Sequence, residues 1–226
     1  MSRRSKRYIE CRGQVDREKV YPLDEAVAAL KAVGTARFDE TVELAVMLGI
    51  DPKQSDQQVR GSVSLPSGIG KSLRVAVFAE GQQADDARAA GAEHVGGSDL
   101  IERVEGGWTD FDVALATPEM MRQMGRIGRR LGPKGLMPSP KNGTVRSDID
   151  VAVLEFMAGK VEVRNDSGGN VHVPVGKLSF SNEAIVANIR ELLDYLVRLR
   201  PRSAKGRYLE SIVVSSTMGP GVKVAV

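Results

Sequence analysis

The pentapeptide Pro66-Ser67-Gly68-Ile69-Gly70 (PSGIG) separates two regions of the chain that have different hydrophobic patterns. On its N-terminal side, apolar and polar residues alternate within Phe38–Ile50 and again within Val59–Leu65, which predicts two half-buried strands. We expect these two strands to pair antiparallel with one another. On its C-terminal side, Leu73–Ala79 (LRVAVFA) is a continuous apolar run, which is typical of a strand buried on both faces.

The region after PSGIG alternates between short apolar runs and helical patterns. Further strands and helices of this kind are predicted in the order Ala84–Ala90 (helix), Glu93–Val95 (strand), Ser98–Val104 (helix) and Phe111–Ala116 (strand). Another helix should begin at Thr117-Pro118-Glu119 and run to about Leu131, because a capping hydroxyl precedes a proline at the first helical position. Strands that alternate with helices indicate a small α/β unit with a parallel sheet.

From Ala158-Gly159 onwards the first pattern returns. Alternating strands are predicted at Lys160–Arg164 and Asn170–Val175, a long helix after Ser181, and two last strands at Leu209–Ser216 and Val222–Val226. The simplest account is a discontinuous α+β terminal domain, residues 1–66 and 159–226, with an α/β domain inserted at residues 67–158. The two glycine-bearing connections would then act as a double hinge.

Composition excludes several classes of protein. The single cysteine, Cys11, rules out an internal disulfide and favours a reducing compartment. No apolar run approaches the length of a membrane span, so we expect a cytoplasmic protein that does not enter a membrane. Aromatic residues make up only 4% of the chain, which argues against a surface that stacks many single-stranded bases.

Basic residues are concentrated in a few segments, although the formal net charge is only +3. The glycine- and proline-rich stretch Gly125–Val145 lies within a region that has seven bases and no acid between Glu119 and Asp148. Further bases cluster at both chain ends, namely at Arg3, Arg4, Lys6, Arg7 and Arg12, and at Arg198, Arg200, Arg202, Lys205 and Arg207. Such patches favour polyanionic partners, while solvated charge is the alternative for any one of them.

Within the stretch before Gly132, arginines recur at helical spacing. Arg122, Arg126 and Arg129 should share one helix face, with Arg130 and Lys134 nearby. We interpret these five bases as a secondary RNA-binding or packing surface, and a solvated helix face is the alternative.

The sequence gives little support for a nucleotide-binding site or a catalytic site. The sequence Gly68-Ile69-Gly70-Lys71-Ser72 resembles the end of a phosphate-binding loop, but Leu65 stands where that loop needs glycine. The two histidines, His94 and His172, fall in different predicted domains and are interpreted as structural. Neither a metal site nor a cofactor site is predicted, and no catalytic residue is assigned.

A turn near the C-terminus combines three hydroxyls with methionine and glycine. Ser215-Ser216-Thr217-Met218-Gly219-Pro220-Gly221 ends a predicted strand. Hydroxyls and accessible backbone N–H groups suit contacts with ribose and phosphate, and glycine permits close approach. Phe38 would lie beside this turn if the strands that follow Phe38 and precede the turn are neighbours. A plain hairpin turn is the alternative.

Several long motifs occur in one order along the chain. They are FDETVE (Phe38–Glu43), LGID (Leu48–Asp51), RGSVSLPSGIGK (Arg60–Lys71), ATPEMM (Ala116–Met121), LGPKGLMPSPKNGTV (Leu131–Val145) and STMGP (Ser216–Pro220). Together they resemble the ribosomal protein L1 family in its bacterial form, from about Lys6 to Val224. The resemblance implies a terminal domain made from both chain ends and a Rossmann-like inserted domain.

The family resemblance also implies a function that is not enzymatic. It implies binding to a stalk segment of large-subunit rRNA, mainly through the terminal domain. It further implies help in releasing deacylated tRNA from the exit site of the ribosome, and repression of translation through the protein's own operon mRNA.

The same resemblance implies particular RNA contacts. From the motifs we expect Phe38, Thr41, Thr217, Met218 and Gly219 to bind RNA, with Arg37 at the basic position before the phenylalanine, and Ser215 is added from the hydroxyl-bearing turn. Arg164 and Lys177 are added as polar strand positions of the same domain. The inserted domain, with Arg122, Arg126, Arg129, Arg130 and Lys134, would make secondary contacts.

Two other functions stay open on residues alone. An enzyme could use the α/β middle for a phosphorylated ligand, although the first strand-to-helix turn, Glu80-Gly81-Gln82-Gln83, lacks the glycine triplet of dinucleotide sites. A DNA-binding or interaction protein is the weaker alternative, and competition between duplex DNA and structured RNA would distinguish it.

Overall fold

The computed structural model describes residues 5–16 and 18–225. These residues form two compact units. The first contains the described residues up to Gly70 and those from Val161 onwards, and the second contains Lys71–Lys160. The predicted fold class, a discontinuous α+β part with an inserted parallel-sheet α/β part, is confirmed, while the boundaries at 66/67 and 158/159 and the hinge stay predictions.

The elements follow one another along the chain in the order α1 (Lys6–Gly13), α2 (Leu23–Ala32), β1 (Thr41–Leu48), β2 (Arg60–Ser64), β3 (Val75–Phe78), α3 (Gln82–Ala89), β4 (His94–Gly96), α4 (Ser98–Glu105), β5 (Val113–Ala116), α5 (Met121–Met124), α6 (Gly128–Leu131), α7 (Ile149–Met157), β6 (Lys160–Arg164), β7 (Asn170–Lys177), α8 (Asn182–Arg198), β8 (Leu209–Ser216) and β9 (Val222–Val224). No helix in the described part of the chain is both long and apolar enough to cross a bilayer.

The first unit is built on a four-stranded antiparallel sheet in the order β7-β1-β8-β9. Alternate residues of β1, beginning with Val42 and Leu44, are fully buried, as the alternation in the sequence predicts. Helices α2 and α8 contact one another and elements of this sheet. Helix α8 starts at the predicted cap, where Ser181 Oγ accepts a hydrogen bond from the Ala184 N–H, and it buries Ile185, Ile189, Leu192 and Leu196.

The expected pairing of the first two strands is wrong. β1 pairs with β7 on one side and with β8 on the other, whereas β2 pairs with β6 in a separate two-stranded sheet. Alternation of apolar residues fixes which face of a strand is buried, but it does not specify the neighbouring strand.

The PSGIG segment forms a turn that a buried side chain holds in place. Asn188 of α8 is fully buried, and its Oδ1 accepts from the Ser67 N–H at 3.0 Å. Its Nδ2 donates to the carbonyls of Gly68, at 2.9 Å, and Val175, at 2.8 Å. Gly68 has a φ of 65°, a value that glycine adopts without strain.

The second unit has a three-stranded parallel sheet in the order β4-β3-β5, with helices packed on both faces. One core contains Ala76 and Phe78 of β3 together with α4 and residues 120–131. The other contains Val75 and Val77 of β3 together with α3 and α7. Since β3 is buried on both faces, its sequence is continuously apolar.

One helix prediction in this unit is wrong, and one helix was not predicted. The segment expected to form one helix up to Leu131 is divided into α5, a 3₁₀ turn at Gly125–Ile127 and α6. Gly125 and Gly128 flank the change, and glycine weakens a helix interior. Helix α7 was missed, because its sequence, IDVAVLEFM, has a strongly apolar and β-branched character that resembles a strand.

Candidate nucleic-acid interface

The start of β1 and the end of β8 lie side by side, so that two motifs separated by more than 170 residues meet. Val42 is opposite Ser216, and the Thr217 N–H donates to the carbonyl of Thr41 at 3.1 Å. We call the surface around this point the strand-end patch. It comprises Arg37, Phe38, Thr41, Lys177, Thr217, Met218 and Gly219.

Two large apolar side chains are exposed at the strand-end patch. Phe38 is 56% exposed and Met218 is 47% exposed. Side chains of this size are usually buried, and their exposure beside hydroxyls and bases is typical of a surface that another molecule covers. The condition set for Phe38, that the strands which follow Phe38 and precede Met218 are neighbours, is met.

Bases and hydroxyls surround this apolar pair. Thr41 lies opposite Lys177 of β7, and the Lys177 Nζ donates to Thr41 Oγ1 at 2.8 Å. Arg37 is exposed, and no ion pair joins it to an acid within residues 5–16 and 18–225. Ser215 lies opposite Glu43 in the sheet and is partly buried, so it borders the patch without belonging to its exposed surface.

Backbone groups of Met218 are held by two residues that the sequence reasoning did not select. The Met218 N–H donates to Oε2 of Glu40 at 2.8 Å, and Arg7 Nη2 donates to the Met218 carbonyl at 3.0 Å. Glu40 is only 1% exposed. A signal was available for Arg7 in the basic N-terminal segment, but nothing in FDETVE distinguishes the buried Glu40 from its exposed acidic neighbours.

Gly219 is placed where a Cβ would clash with the Ser216 hydroxyl. A Cβ built there would lie 2.4 Å from Ser216 Oγ, which is far inside contact distance. That hydroxyl is buried and has no hydrogen-bond partner within the described residues. The turn can therefore close tightly because residue 219 lacks a side chain.

A shallow depression borders the strand-end patch on the side of α1. It has a volume of about 380 Å³ and is lined by Ser5, Arg7, Tyr8, Thr217, Met218 and Gly219. Helix α1 is fixed here by its buried Cys11, whose Sγ lies 3.4 Å from the Val33 carbonyl. Cys11 is thus a buried packing residue of the basic N-terminal segment. Arg3 and Arg4 of that segment lie outside the described residues.

Arg164 is not brought to the strand-end patch. It ends β6 and lines a second depression with Pro52, Arg60 and Asp166. The adjacent Asn165 bridges to Val171, at the opposite end of the β1–β7 pair from Thr41. At about 3.3 Å per residue, these two ends of β1 are about 20 Å apart.

The five bases predicted as a secondary surface all lie exposed in the second unit. Arg122, Arg126 and Arg129 form no ion pair with any acid in the described part of the chain. Lys134 donates to Thr109 Oγ1 at 2.6 Å. Because a 3₁₀ turn interrupts this segment, the arginines do not follow one regular α-helical face as expected.

The two histidines occupy separate structural settings. His94 packs edge-on against Trp108, with ring centroids 4.7 Å apart. His172 is an exposed residue of β7 opposite Ala45. Within the described residues no group of three or more potential metal-ligating side chains comes together.

Comparison with known proteins identifies the family. A family model described as "Ribosomal protein L1p/L10e family" matches residues 30–220. The chain is also 53% identical over 224 residues to the large ribosomal subunit protein uL1 of Kosmotoga olearia, covering 99% of this chain and 97% of that protein. The match spans both β1 and β8, and therefore both halves of the strand-end patch. The chain belongs to the ribosomal protein L1p/L10e family.

Proposed function

We propose that this protein is a non-enzymatic component of the large ribosomal subunit, located in the cytoplasm, that binds a stalk segment of large-subunit rRNA through the strand-end patch. The observation that carries the proposal is the exposure of Phe38, just before β1, and of Met218, just after the neighbouring β8, where Thr217 is bonded to Thr41 and Lys177 of β7 donates to Thr41. Family membership supports the ribosomal setting.

The chemistry of the patch suits structured RNA. Flat apolar surface from Phe38 and Met218 can pack against sugars and base edges in the wide, shallow minor groove of A-form RNA. Hydroxyl and backbone groups near Gly219 can reach ribose 2′-OH groups, which duplex DNA lacks. Lys177 and Arg37 would add phosphate contacts, which makes affinity dependent on salt.

RNA that co-purifies with the protein tests the partner directly. Sequencing this RNA should give large-subunit rRNA enriched at one stalk segment. A transcript of that segment should then bind more tightly than duplex DNA of equal length at the same salt concentration. Equal affinity for both would favour the DNA-binding alternative, and saturable micromolar binding of ATP or NAD without RNA binding would favour the enzyme.

A Phe38→Ala variant tests whether the exposed ring of Phe38 contributes to RNA binding. Because Phe38 is exposed, its truncation should leave the fold intact while RNA affinity falls by about 1–3 kcal/mol. Met47→Ala is a matched control, since Met47 is a similarly exposed apolar residue, at 44%, near the other end of β1. An equal loss of RNA affinity in both variants would contradict the assignment of the strand-end patch as the RNA-binding site.

Two finer roles extend the proposal. The protein would assist release of deacylated tRNA from the exit site, and it would repress translation of its own operon mRNA by binding a segment that resembles its rRNA site. Ribosomes lacking the protein should then release deacylated tRNA more slowly. A reporter that carries the operon leader should be repressed by the wild-type protein and not by the Phe38→Ala variant.

Arg164 and the five bases of the second unit are proposed as additional RNA contacts outside the patch. Arg122, Arg126 and Arg129 pair with no acid among the described residues, which supports this proposal for those three. Exposed bases of this kind would contribute mainly phosphate contacts, which are insensitive to sequence.

A further inference from the structure

The backbone of Met218 is held from two sides by charged side chains of opposite sign. Arg7 Nη2 donates to the Met218 carbonyl at 3.0 Å, and the Met218 N–H donates to Glu40 Oε2 at 2.8 Å. Hydrogen bonds with one ionised partner are shorter and stronger than neutral ones. The position from which the exposed Met218 side chain projects is therefore fixed by two strong contacts.

The same two side chains also bind the segment that leads into Phe38. Arg7 Nη1 donates to Thr35 Oγ1 at 3.2 Å, and the Ala36 N–H donates to Glu40 Oε1 at 3.4 Å. Each side chain thus bridges residues 35–36 to Met218. We call this arrangement the Arg7–Glu40 clamp.

Burial separates Glu40 from any ligand of the strand-end patch. Glu40 is 1% exposed, so it cannot touch RNA that lies on the surface. A buried carboxylate beneath a surface that receives phosphates is unfavourable electrostatically, because like charges repel. The hydrogen bonds that Glu40 accepts from the Ala36 and Met218 N–H groups offset the electrostatic cost of burying this carboxylate.

We propose that Arg7 and Glu40 are positioning residues that fix Phe38 and Met218 relative to one another before RNA binds. A preorganised surface loses less conformational freedom on association, and this raises affinity without any added contact. The inference rests on the proposed function, because it requires that the strand-end patch binds RNA.

Four single variants test the clamp, with the large-subunit rRNA stalk transcript as the probe. Arg7→Met and Glu40→Gln each remove one charge and keep the size of the side chain. Arg12→Met on α1 and Glu43→Gln on β1 are the controls, because they make the same charge changes, one on the same helix as Arg7 and the other three residues after Glu40. Neither Arg12 nor Glu43 makes a side-chain hydrogen bond or ion pair to the residues of the strand-end patch.

The clamp variants should each weaken RNA binding about tenfold, whereas the controls should stay within about threefold of wild type. Binding is measured at a temperature where circular dichroism shows all variants folded. Hydrogen exchange of the Met218 amide should accelerate in Glu40→Gln and not in Glu43→Gln. A merely structural role would lower the melting temperature without this selective loss of affinity, and that result would overturn the proposal.

Salt dependence separates positioning by Arg7 from direct phosphate binding. A residue that contacts phosphate lowers the slope of log affinity against log salt by about one when it is removed. Arg7→Met should instead leave the slope equal to that of Arg12→Met. A slope reduced by about one would identify Arg7 as an RNA contact and contradict the clamp.

The double variant supplies an independent criterion. Because both side chains hold the same backbone, Arg7→Met with Glu40→Gln should lose less affinity than the product of the two single losses. If the affinity loss of the double variant equals the product of the two single losses, Arg7 and Glu40 do not act together. If Glu40→Gln does not fold, the Arg7 and Arg12 pair still decides the outcome. If wild-type protein fails to bind the transcript, the proposed function itself is wrong.

Discussion

Thr41 and Thr217 are joined by three hydrogen bonds at the point where β1 begins and β8 has ended. The Thr41 N–H donates to Thr217 Oγ1 at 3.1 Å, and that hydroxyl donates to the Thr41 carbonyl at 3.3 Å. The Thr217 N–H donates to the same carbonyl at 3.1 Å. The Thr217 hydroxyl therefore acts within the protein, besides any contact it makes with RNA.

Thr217→Val should weaken binding of the stalk transcript by about 1–3 kcal/mol, because the isosteric change removes both bonds made by the hydroxyl. Thr217→Ser keeps the hydroxyl and should bind within about 0.5 kcal/mol of wild type. Filter binding or calorimetry measures both. Unchanged affinity in Thr217→Val would remove Thr217 from the site.

Gly219→Ala should weaken RNA binding by about 1 kcal/mol, since the new Cβ would lie 2.4 Å from the buried Ser216 Oγ and must displace that hydroxyl or the turn. Ser216→Ala removes a buried hydroxyl that has no described partner, so this variant should be as stable as wild type or more stable. Added to Gly219→Ala, it should restore binding, because the nearest remaining side-chain atom, Ser216 Cβ, is 3.6 Å away. A double variant as weak as Gly219→Ala would show that the clash is not the cause.

Arg129→Glu should reduce RNA affinity less than Thr217→Val, because Arg129 lies in the second unit and outside the strand-end patch. The loss of RNA affinity in Arg129→Glu should become smaller as the salt concentration rises, as expected for exposed charges. Arg88→Glu on α3 makes the same charge change and is the control. If Arg129→Glu costs more than Thr217→Val, the main RNA site belongs to the second unit.

Asp112→Asn should destabilise the second unit by about 1–2 kcal/mol at pH 7. The Lys71 Nζ, 2.8 Å from Asp112 Oδ1, and then Arg74 lower the pKa of Asp112 to about 2. Since the pKa is lowered on folding, this stabilisation is present above about pH 4 and is lost as pH falls towards about 2.

The fluorescence of Trp108, the single tryptophan, reports unfolding of the second unit in denaturant. The difference in the free energy of unfolding between wild type and Asp112→Asn should become smaller as pH falls from 4 to 2. Asp110→Asn, whose 69% exposed side chain also pairs with Arg74, should change stability by less than about 0.5 kcal/mol. If the stability difference between wild type and Asp112→Asn does not change with pH, the charge of Asp112 is not its cause.

Local sequence patterns predicted the type and order of most elements, with the exception of helix α7 and of the break between α5 and α6. The continuous apolar run before Ala79 predicted a strand covered on both faces, and β3 is buried in this way. The alternation after Phe38 predicted which residues of β1 are buried. These features depend on periodicity within a few neighbouring residues, which the sequence displays directly.

Tertiary structure alone decided which distant segments meet. The partners of β1 are β7 and β8, although alternation made β2 an equally acceptable neighbour. Pairing also carried Arg164 to the far end of the sheet and brought Glu40 beneath Met218. Contacts of this kind depend on long-range packing and hydrogen bonding, and local sequence patterns do not encode which strand a given strand will join.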